Sequence, residues 1–318
     1  MALAAEPAAA VKIAMMGSGG VGGFFGGRLA KAGHDVTFIA RGKHLAALRA
    51  DGLTIESEPQ GDIHLPRVKA TDDPASVGPV DVVILSVKLW DTEAALEAIR
   101  PMLRPDTAVI SLQNGVAKEE ILPRVLAREN IMGGVCYVAT TIDRPGVIRQ
   151  TGTMQRIVVG EYGGERSARA VALHEALAAS GVKAELTDDV RRAIWEKFVF
   201  LVGLSGATAT MRLSIGPIRA NPQTRAFFAD LMRETVAVGR ALGVALPADY
   251  AEQRLEFADG LPADMTASLH HDLERGNPLE VRWLAGGVVE LGHKAGVPTP
   301  CNRAVHDILV LHAEGRKA

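Results

Sequence analysis

Lys12-Ile13-Ala14-Met15-Met16-Gly17-Ser18-Gly19-Gly20-Val21-Gly22-Gly23-Phe24-Phe25-Gly26-Gly27 is the stretch on which the fold turns. Its apolar lead-in, Val11 to Met16, has the length of a buried strand. Gly17, Gly19 and Gly22 then spell G-x-G-x-x-G. Apolar or small residues follow at helical spacing: Val21, Phe24, Phe25, Leu29 and Ala32. Gly33 ends that helix, and Val36 to Ile39 reads as a second strand. A strand, glycine turn, helix and strand of this length make the unit that a dinucleotide site requires. Gly17 allows the tight turn, Gly19 lets a pyrophosphate approach the backbone, and Gly22 lets helix and strand pack closely. The pyrophosphate would rest on free N–H groups at the helix start, along Gly17, Ser18, Gly19, Gly20, Val21 and Gly22. The competing reading is a glycine-rich turn that only packs a helix on a sheet.

A chain of 318 residues suggests about two domains on a prior of ~150 residues each. Hydrophobic residues make up 47%, enough for a sizeable core, and 35 Lys and Arg oppose 37 Asp and Glu for a formal charge of −2. That balance gives no electrostatic case for nucleic acid or for an anionic membrane. Cys136 and Cys301, without metal-ligand spacing, read as reduced thiols of a cytoplasmic protein, a disulfide between them being the alternative. Residues 1–10 lack the positive start and long apolar core of a signal peptide and read as a mobile extension. No stretch is long and apolar enough to span a bilayer.

Beyond the second strand stands Arg41-Gly42-Lys43-His44. An NAD site usually has an acid at this end of the strand, whereas Asp35 lies at the other end. An arginine fork at Arg41 suits the extra 2′-phosphate of NADP, and a solvated loop arginine is the plain alternative. Leu45 to Ala50 reads as a short helix, and Leu53–Glu56 and His64–Val68 as strands. Asp81–Lys88 reads as a buried strand ending in a lysine, Thr92–Leu103 as a helix, and Thr107–Leu112 as a strand followed by Gln113-Asn114-Gly115. Such alternation implies a parallel, doubly wound sheet with ligands at the carboxyl ends of its strands. Lys88 and Asn114 fall at two such ends, as site lining or as caps and turns. Met132–Ala139, Val147–Arg149, Ile157–Gly160 and Lys183–Leu186 complete the strands, with a helix at Val171–Ala179.

From Asp188 onward only helical patterns are found. The expected organisation is a cofactor-binding domain at 11–187 and a helical domain at 188–318. Val190–Ala209 is one long helix carrying Lys197 among Ile194, Trp195, Phe198, Val199, Phe200 and Leu201. Such a lysine either snorkels to the edge or is a functional amine, its charged form disfavoured and its proton available. Helices follow at Phe227–Leu242, Tyr250–Phe257 and Ala267–Glu274. A further helix is expected from Asn277 to Ala295, with Asn277 as N-cap, Pro278 at N1 and Glu280 closing a capping box at N3. His270-His271-Asp272 suggests a metal cluster, but adjacent helical residues point about 100° apart and no H-x-x-x-H pair accompanies them, so no metal is expected.

These residues resemble the ketopantoate reductases, or 2-dehydropantoate 2-reductases, over roughly Val11 to Val310. The resemblance rests on the G-x-G-x-x-G loop, Gly33-His34-Asp35-Val36 leading to Ala40-Arg41, Val87-Lys88, Gln113-Asn114-Gly115, Trp195-Glu196-Lys197, and the pair Ser268 and Glu280. It implies an N-terminal Rossmann-type doubly wound parallel sheet with a second, all-helical C-terminal domain. It also implies NADPH-dependent reduction of 2-dehydropantoate to (R)-pantoate, a step toward pantothenate and coenzyme A. By resemblance Lys197 is the general acid, and Glu280 interacts with it and with the substrate hydroxyl. Ser268 would hold the substrate carboxylate, and Asn114 and Lys88 would lie near nicotinamide and substrate.

One departure bears on the substrate. Members commonly carry Asn four and eight residues after the lysine, where this chain has Leu201 and Ser205. A pocket built around a polar group discriminates strongly by it, so a different small-molecule 2-oxo acid is the alternative substrate. The related 3-hydroxyacid dehydrogenases carry G-x-x-x-K-x-x-x-N, whereas Ala193 and Leu201 stand at the outer positions here. A reading of another class is a non-catalytic NADPH sensor, which would need only the first domain. A homodimer is one assembly the sequence allows.

Overall fold

The computed structural model describes residues 10–316, so the extension expected at 1–10 lies outside the described residues but for Ala10. The chain divides into two compact units. One holds the residues up to Gln113 together with Lys118–Val190; the other holds Asn114–Ala117 together with the residues from Arg191 on.

The first unit is a ten-stranded sheet with helices. Its strands are β1 (Lys12–Met16), β2 (Asp35–Ile39), β3 (Leu53–Ser57), β4 (Ile63–Leu65), β5 (Lys69–Thr71), β6 (Val82–Leu85), β7 (Ala108–Ser111), β8 (Ile131–Arg144), β9 (Val147–Gly160) and β10 (Lys183–Leu186). The spatial order is β4-β3-β9-β8-β7-β6-β1-β2-β5, with β10 also on β9. From β5 across to β8 every pairing is parallel. Past β2 the chain crosses to β3 and β4 at the far edge, comes back to β5 beside β2, and then enters β6 on the other side of β1. The carboxyl ends of β1 and β6 are therefore the switch point where such a sheet opens a crevice for a ligand. Side chains of β1 alternate between two cores. Ile13 and Met15 pack with Phe24, Phe25 and Phe38. Ala14 and Met16 pack with Val83, Leu85 and Leu96. Burial on both faces is what a parallel sheet demands and why its strands read as unbroken apolar runs.

The helices of this unit are α1 (Gly20–Lys31), α2 (Gly42–Asp51), α3 (Thr92–Ala98), α4 (Lys118–Val125) and α5 (Ala168–Ala179). Several expected elements change shape. The strand expected at His64–Val68 is β4, which ends before Pro66, and a separate β5 pairs with β2. Proline has no N–H to offer a ladder. The helix expected through Leu103 stops at Ala98 and continues as a 3-10 turn, Arg100–Met102, because Pro101 lies in the next turn. β8 and β9 are 14 residues each, far longer than their apolar segments. They pair with one another as an antiparallel hairpin around Pro145-Gly146, and that pairing extends over polar residues. β9 also has two parallel partners, β3 along its first half and β10 along its last residues.

The second unit is helical, with no strand among its described residues. It is built from α6 (Val190–Met211), α7 (Ile215–Ala220), α8 (Pro222–Ala241), α9 (Tyr250–Asp259), α10 (Ser268–Arg275), α11 (Ala285–Ala295) and α12 (Pro300–Leu309). Trp195 and Phe198 of α6 are buried and meet edge to face, with ring centroids 5.5 Å apart. Among the described residues no helix is long and apolar enough to cross a membrane. Cys136 and Cys301 are free thiols.

Candidate active site

The glycine loop closes the crevice end of β1. Gly17 has φ +94°, a conformation that side chains rarely adopt, and its carbonyl accepts a hydrogen bond from Ser86 Oγ at 2.5 Å. Ser18 ties the loop to β2, its N–H and Oγ both donating to the Ile39 carbonyl at 3.1 and 3.0 Å. A Cβ on Gly22 would stand 2.0 Å from the Gly17 carbonyl oxygen and 2.4 Å from Ser86 Oγ. Gly22 therefore admits the loop itself. The close approach of helix to strand expected of it is made further along, where a Cβ on Gly26 would meet Met15 and Phe38 at 2.7 Å. Gly19 is the N-cap of α1, and nothing lies within 4 Å of where its Cβ would be. No side chain caps α1 and no acid sits in its first turn. The N–H groups around Gly20 and Val21 and the positive end of the helix are thus suited to an anion.

Arg41 stands at the carboxyl end of β2, exposed, as the N-cap of α2. α2 likewise has no capping side chain and no acid in its first turn. Asp35 is at the opposite end of β2, paired with Lys69 at 2.7 Å. His44, in the first turn of α2, is part of the loop's support, a role that the sequence does not show. Its Nδ1 accepts the Gly146 N–H at 3.1 Å, which leaves Nε2 to donate to the Ser18 carbonyl at 2.9 Å. Two backbone partners thus fix one neutral tautomer, and burial holds the imidazole below its ordinary 6.5, opposed by the Ser18 bond.

Lys88 does not end a strand. β6 stops at Leu85, and Lys88 is an exposed N-cap to a 3-10 turn, Leu89–Asp91, with Nζ 5.6 Å from the Trp90 ring centroid. Gln113, just past the end of β7, is one of the buried polar groups in this region. Its Nε2 donates to the Val87 carbonyl at 3.0 Å and to Thr92 Oγ1 at 2.8 Å, while Oε1 accepts from Ser111 Oγ at 3.0 Å.

In the helical unit, Lys197 and Asn114 meet although 83 positions separate them. Lys197 Nζ donates to Asn114 Oδ1 at 2.9 Å. Gly115, with φ +78°, turns the chain beside them; a Cβ there would lie 3.5 Å from the Trp283 carbonyl oxygen and 3.8 Å from Phe198. The Asn114–Ala117 segment therefore lies against α6 next to Lys197 and against Trp283 and Leu284, which follow the turn that Glu280 opens. Lys197 itself is half-buried between the buried Trp195 and Phe198. Leu201 and Ser205 follow on the same face of α6. Leu201 is half-buried, and the buried Ser205 hydroxyl donates to the Leu201 carbonyl at 2.5 Å. Ser268 is exposed at the first turn of α10.

The capping box expected at Asn277–Glu280 is not formed. Gly276 closes α10 in the left-handed conformation, and Asn277 belongs to that closure, its N–H and Nδ2 donating to Asp272 O and Oδ1 at 2.8 and 3.0 Å. Glu280 instead opens a 3-10 turn, Glu280–Arg282, and the next α-helix starts only at Ala285. Glu280 is 7% exposed, between the buried Leu279 and Val281. His270 and His271 are each engaged locally, by the Thr208 carbonyl and by Thr266 Oγ1, both at 2.9 Å. Among the described residues no group of three His, Cys, Asp or Glu side chains is placed to hold a metal.

Comparison with known proteins identifies the family. Residues 13–164 match the family model described as ketopantoate reductase PanE/ApbA, and residues 189–313 match its C-terminal counterpart. The chain belongs to the ketopantoate reductase family. Like other ketopantoate reductase family proteins it is a nicotinamide-dependent oxidoreductase. It is 32% identical over 306 residues to the uncharacterized oxidoreductase YkpB of Bacillus subtilis, covering 95% of this chain and 99% of that one. It is also 32% identical to a 2-dehydropantoate 2-reductase of Mesorhizobium japonicum, covering 93% of this chain and 95% of the other. A family member from Ralstonia eutropha with a crystal structure superposes with a TM-score of 0.86 at 36% identity, over 95% of this chain and 98% of that one.

Proposed function

We propose that this family member uses NADPH to reduce the ketone of 2-dehydropantoate to (R)-pantoate, in the cytoplasm and toward pantothenate and coenzyme A. The observation that carries the reading is the Lys197–Asn114 hydrogen bond, formed beside the turn that bears the buried Glu280. In this reading residues 11–187 bind the cofactor and residues 188–318 supply the catalytic helix. The residues present fit the cofactor. Open space at Gly19, the uncapped start of α1 and the glycines from Gly17 to Gly22 suit a pyrophosphate. Arg41, at the uncapped start of α2 and with no acid nearby in that turn, suits a 2′-phosphate and thus NADPH over NADH.

NADPH, when bound, supplies the hydride to the carbonyl carbon. The carbonyl oxygen then carries developing negative charge, and Lys197 donates a proton to it, a role whose contribution is about 10² to 10⁴-fold. Asn114 Oδ1 accepts one N–H of Lys197 and so fixes where the remaining donors point. Glu280, a buried carboxylate, is assigned the contact with Lys197 and with the substrate hydroxyl. Lys88 and Ser268, both exposed, are read as binding groups for cofactor and substrate carboxylate.

A second substrate reading has its own observation. The face of α6 one and two turns beyond Lys197 presents a leucine and a serine whose hydroxyl hydrogen is engaged by the helix backbone. It has no amide to meet a substrate hydroxyl, which favours a less polar 2-oxo acid over 2-dehydropantoate. A cofactor sensor without catalysis would need neither the Lys197–Asn114 pair nor a buried Glu280. The deciding experiment follows NADPH oxidation by the full-length protein over a panel of 2-oxo acids, ranked by kcat/KM. Turnover with none of them overturns the enzyme assignment. Size-exclusion chromatography with light scattering tests the homodimer.

A further inference from the structure

We infer that Lys118 is a positioning residue, which closes the loop Asn114–Ala117 and so holds Asn114 where Lys197 needs it. The inference rests on the role of Lys197 and Asn114 given above. Lys118 opens α4 and is 3% exposed. Its Nζ donates to the carbonyls of Ser111 at 3.0 Å, Gln113 at 3.0 Å and Gly134 at 2.9 Å. An ammonium has three N–H donors, and here each has a backbone carbonyl to meet. Burying a charge is costly, and a methionine of similar reach would avoid that cost. A buried ammonium in this place therefore points to a task that only a compact three-way donor performs.

That task is visible in the chain path. Gln113 and Lys118 are the two residues that flank Asn114–Ala117, the segment which leaves the sheet unit and groups with the helices. The Lys118–Gln113 hydrogen bond joins the ends of this excursion, and the bonds to Ser111 and Gly134 anchor the joint to β7 and β8. The Gln113 side chain holds the same corner to the Val87 carbonyl and Thr92. Asn114 is thus the first residue past a peptide whose carbonyl direction is set by Lys118. Gly115 supplies the turn, and Lys197 is the partner reached. A short loop with both ends fixed presents its side chain with little freedom left to lose, which is how a site is pre-organised.

The test compares full-length wild type with Lys118→Arg, Lys118→Met, Asn114→Ala and the Lys118→Arg/Asn114→Ala double variant. Arginine keeps the charge, but its planar fork cannot gather three converging carbonyls. Since misplacement by about 1 Å can cost on the order of 10²-fold, kcat of Lys118→Arg on the best 2-oxo acid should fall roughly 10- to 100-fold. NADPH KM should stay within roughly twofold, and the kcat–pH profile should move in the direction that Asn114→Ala moves it. The double variant should be no slower than Asn114→Ala alone, because the two residues act through one contact. Hydrogen exchange gives a readout that needs no activity: amides of residues 114–117 should exchange faster in Lys118→Arg while the core strands stay protected. Unchanged exchange there overturns the proposal, as do wild-type kcat and pH profile in a folded variant, or losses that multiply with Asn114→Ala. Should Lys118→Met fail to fold, Lys118→Arg decides. Wild-type inactivity on every 2-oxo acid, with exchange raised at 114–117, would instead remove the catalytic reading and leave loop closure standing.

Discussion

Replacing Asn114 by alanine removes the acceptor that stands 2.9 Å from Lys197 Nζ and nothing else from that amine's backbone surroundings. A hydrogen bond to a charged group contributes about 1.5–3 kcal/mol. If the whole of that is realised in the transition state, kcat falls by roughly 10- to 150-fold, since each 1.36 kcal/mol is a factor of ten. Lys197→Ala removes the proton donor itself and should lower kcat by about 10² to 10⁴-fold. NADPH affinity should stay near the wild-type value in both, because the glycine loop and Arg41 are untouched. The informative measurement is the double variant. With the lysine gone the amide has nothing to orient, so Lys197→Ala/Asn114→Ala should be as slow as Lys197→Ala, not slower by the Asn114 factor. Stopped-flow measurement of NADPH oxidation separates the chemical step from binding, and thermal melts check that each variant is folded. Multiplying losses in the double variant, or full kcat in Asn114→Ala, would refute the claim that the amide acts through the lysine.

Arg41→Ala should raise the NADPH KM and leave the NADH KM nearly unchanged, a comparison that steady-state kinetics makes directly; a wild type indifferent between the cofactors would contradict the 2′-phosphate role. Leu201→Asn/Ser205→Asn should raise kcat/KM for 2-dehydropantoate relative to less polar 2-oxo acids, and no change in that ratio would show that this face does not read the substrate. His44 has its pKa held below the ordinary 6.5 by burial, so the neutral ring is the form the fold selects. Its contribution is then present above pH 6.5 and is lost as pH falls below 6.5 through the folded value. Protonation at Nδ1 would set a donor against the Gly146 N–H and loosen the Ser18 carbonyl. NADPH titration followed by fluorescence should accordingly show weaker binding as pH falls below about 6.5. His44→Gln, with one acceptor and one donor group that do not titrate, should flatten that dependence.

How much of this was legible depends on the range of the interactions. The β1–loop–α1–β2 unit could be read from Lys12 to Ile39 because its strand burial, turn glycine and helix periodicity are all local. The same holds for Arg41, which stands where the strand end puts it. By pattern alone Lys197 and Asn114 each have a plain alternative, and the resemblance assigns both to one site; the direct hydrogen bond between them, over 83 positions, shows only in the folded chain. His44, Gln113 and Lys118 were missed for a common reason. Each works by bonding to main-chain carbonyls or amides of distant segments, and a carbonyl leaves no mark on the sequence. α4 was hidden in addition by Pro123 within it, and β5 by its three-residue length.

Glu280 shows what such a misreading costs. Asn-Pro-x-Glu is a sound helix-start signal by local rules. It failed because Gly276 and Asn277 are engaged by the end of α10, with Asn277 bonded back to Asp272, so the chain has no N-cap left to offer at that point. The consequence runs past secondary structure. A capping glutamate at an exposed helix start would need no other explanation. A glutamate that is 7% exposed at the head of a 3-10 turn pays desolvation for its charge, and that cost is offset only by a partner or a task. Glu280→Gln keeps the shape and removes the charge. If the charge serves Lys197, this substitution should lower kcat well beyond its effect on the melting temperature. It should also be non-additive with Asn114→Ala, since both act on one amine. A variant that melts earlier yet turns over at the wild-type rate per folded molecule would return Glu280 to a purely structural role and leave Asn114 as the residue that orients Lys197.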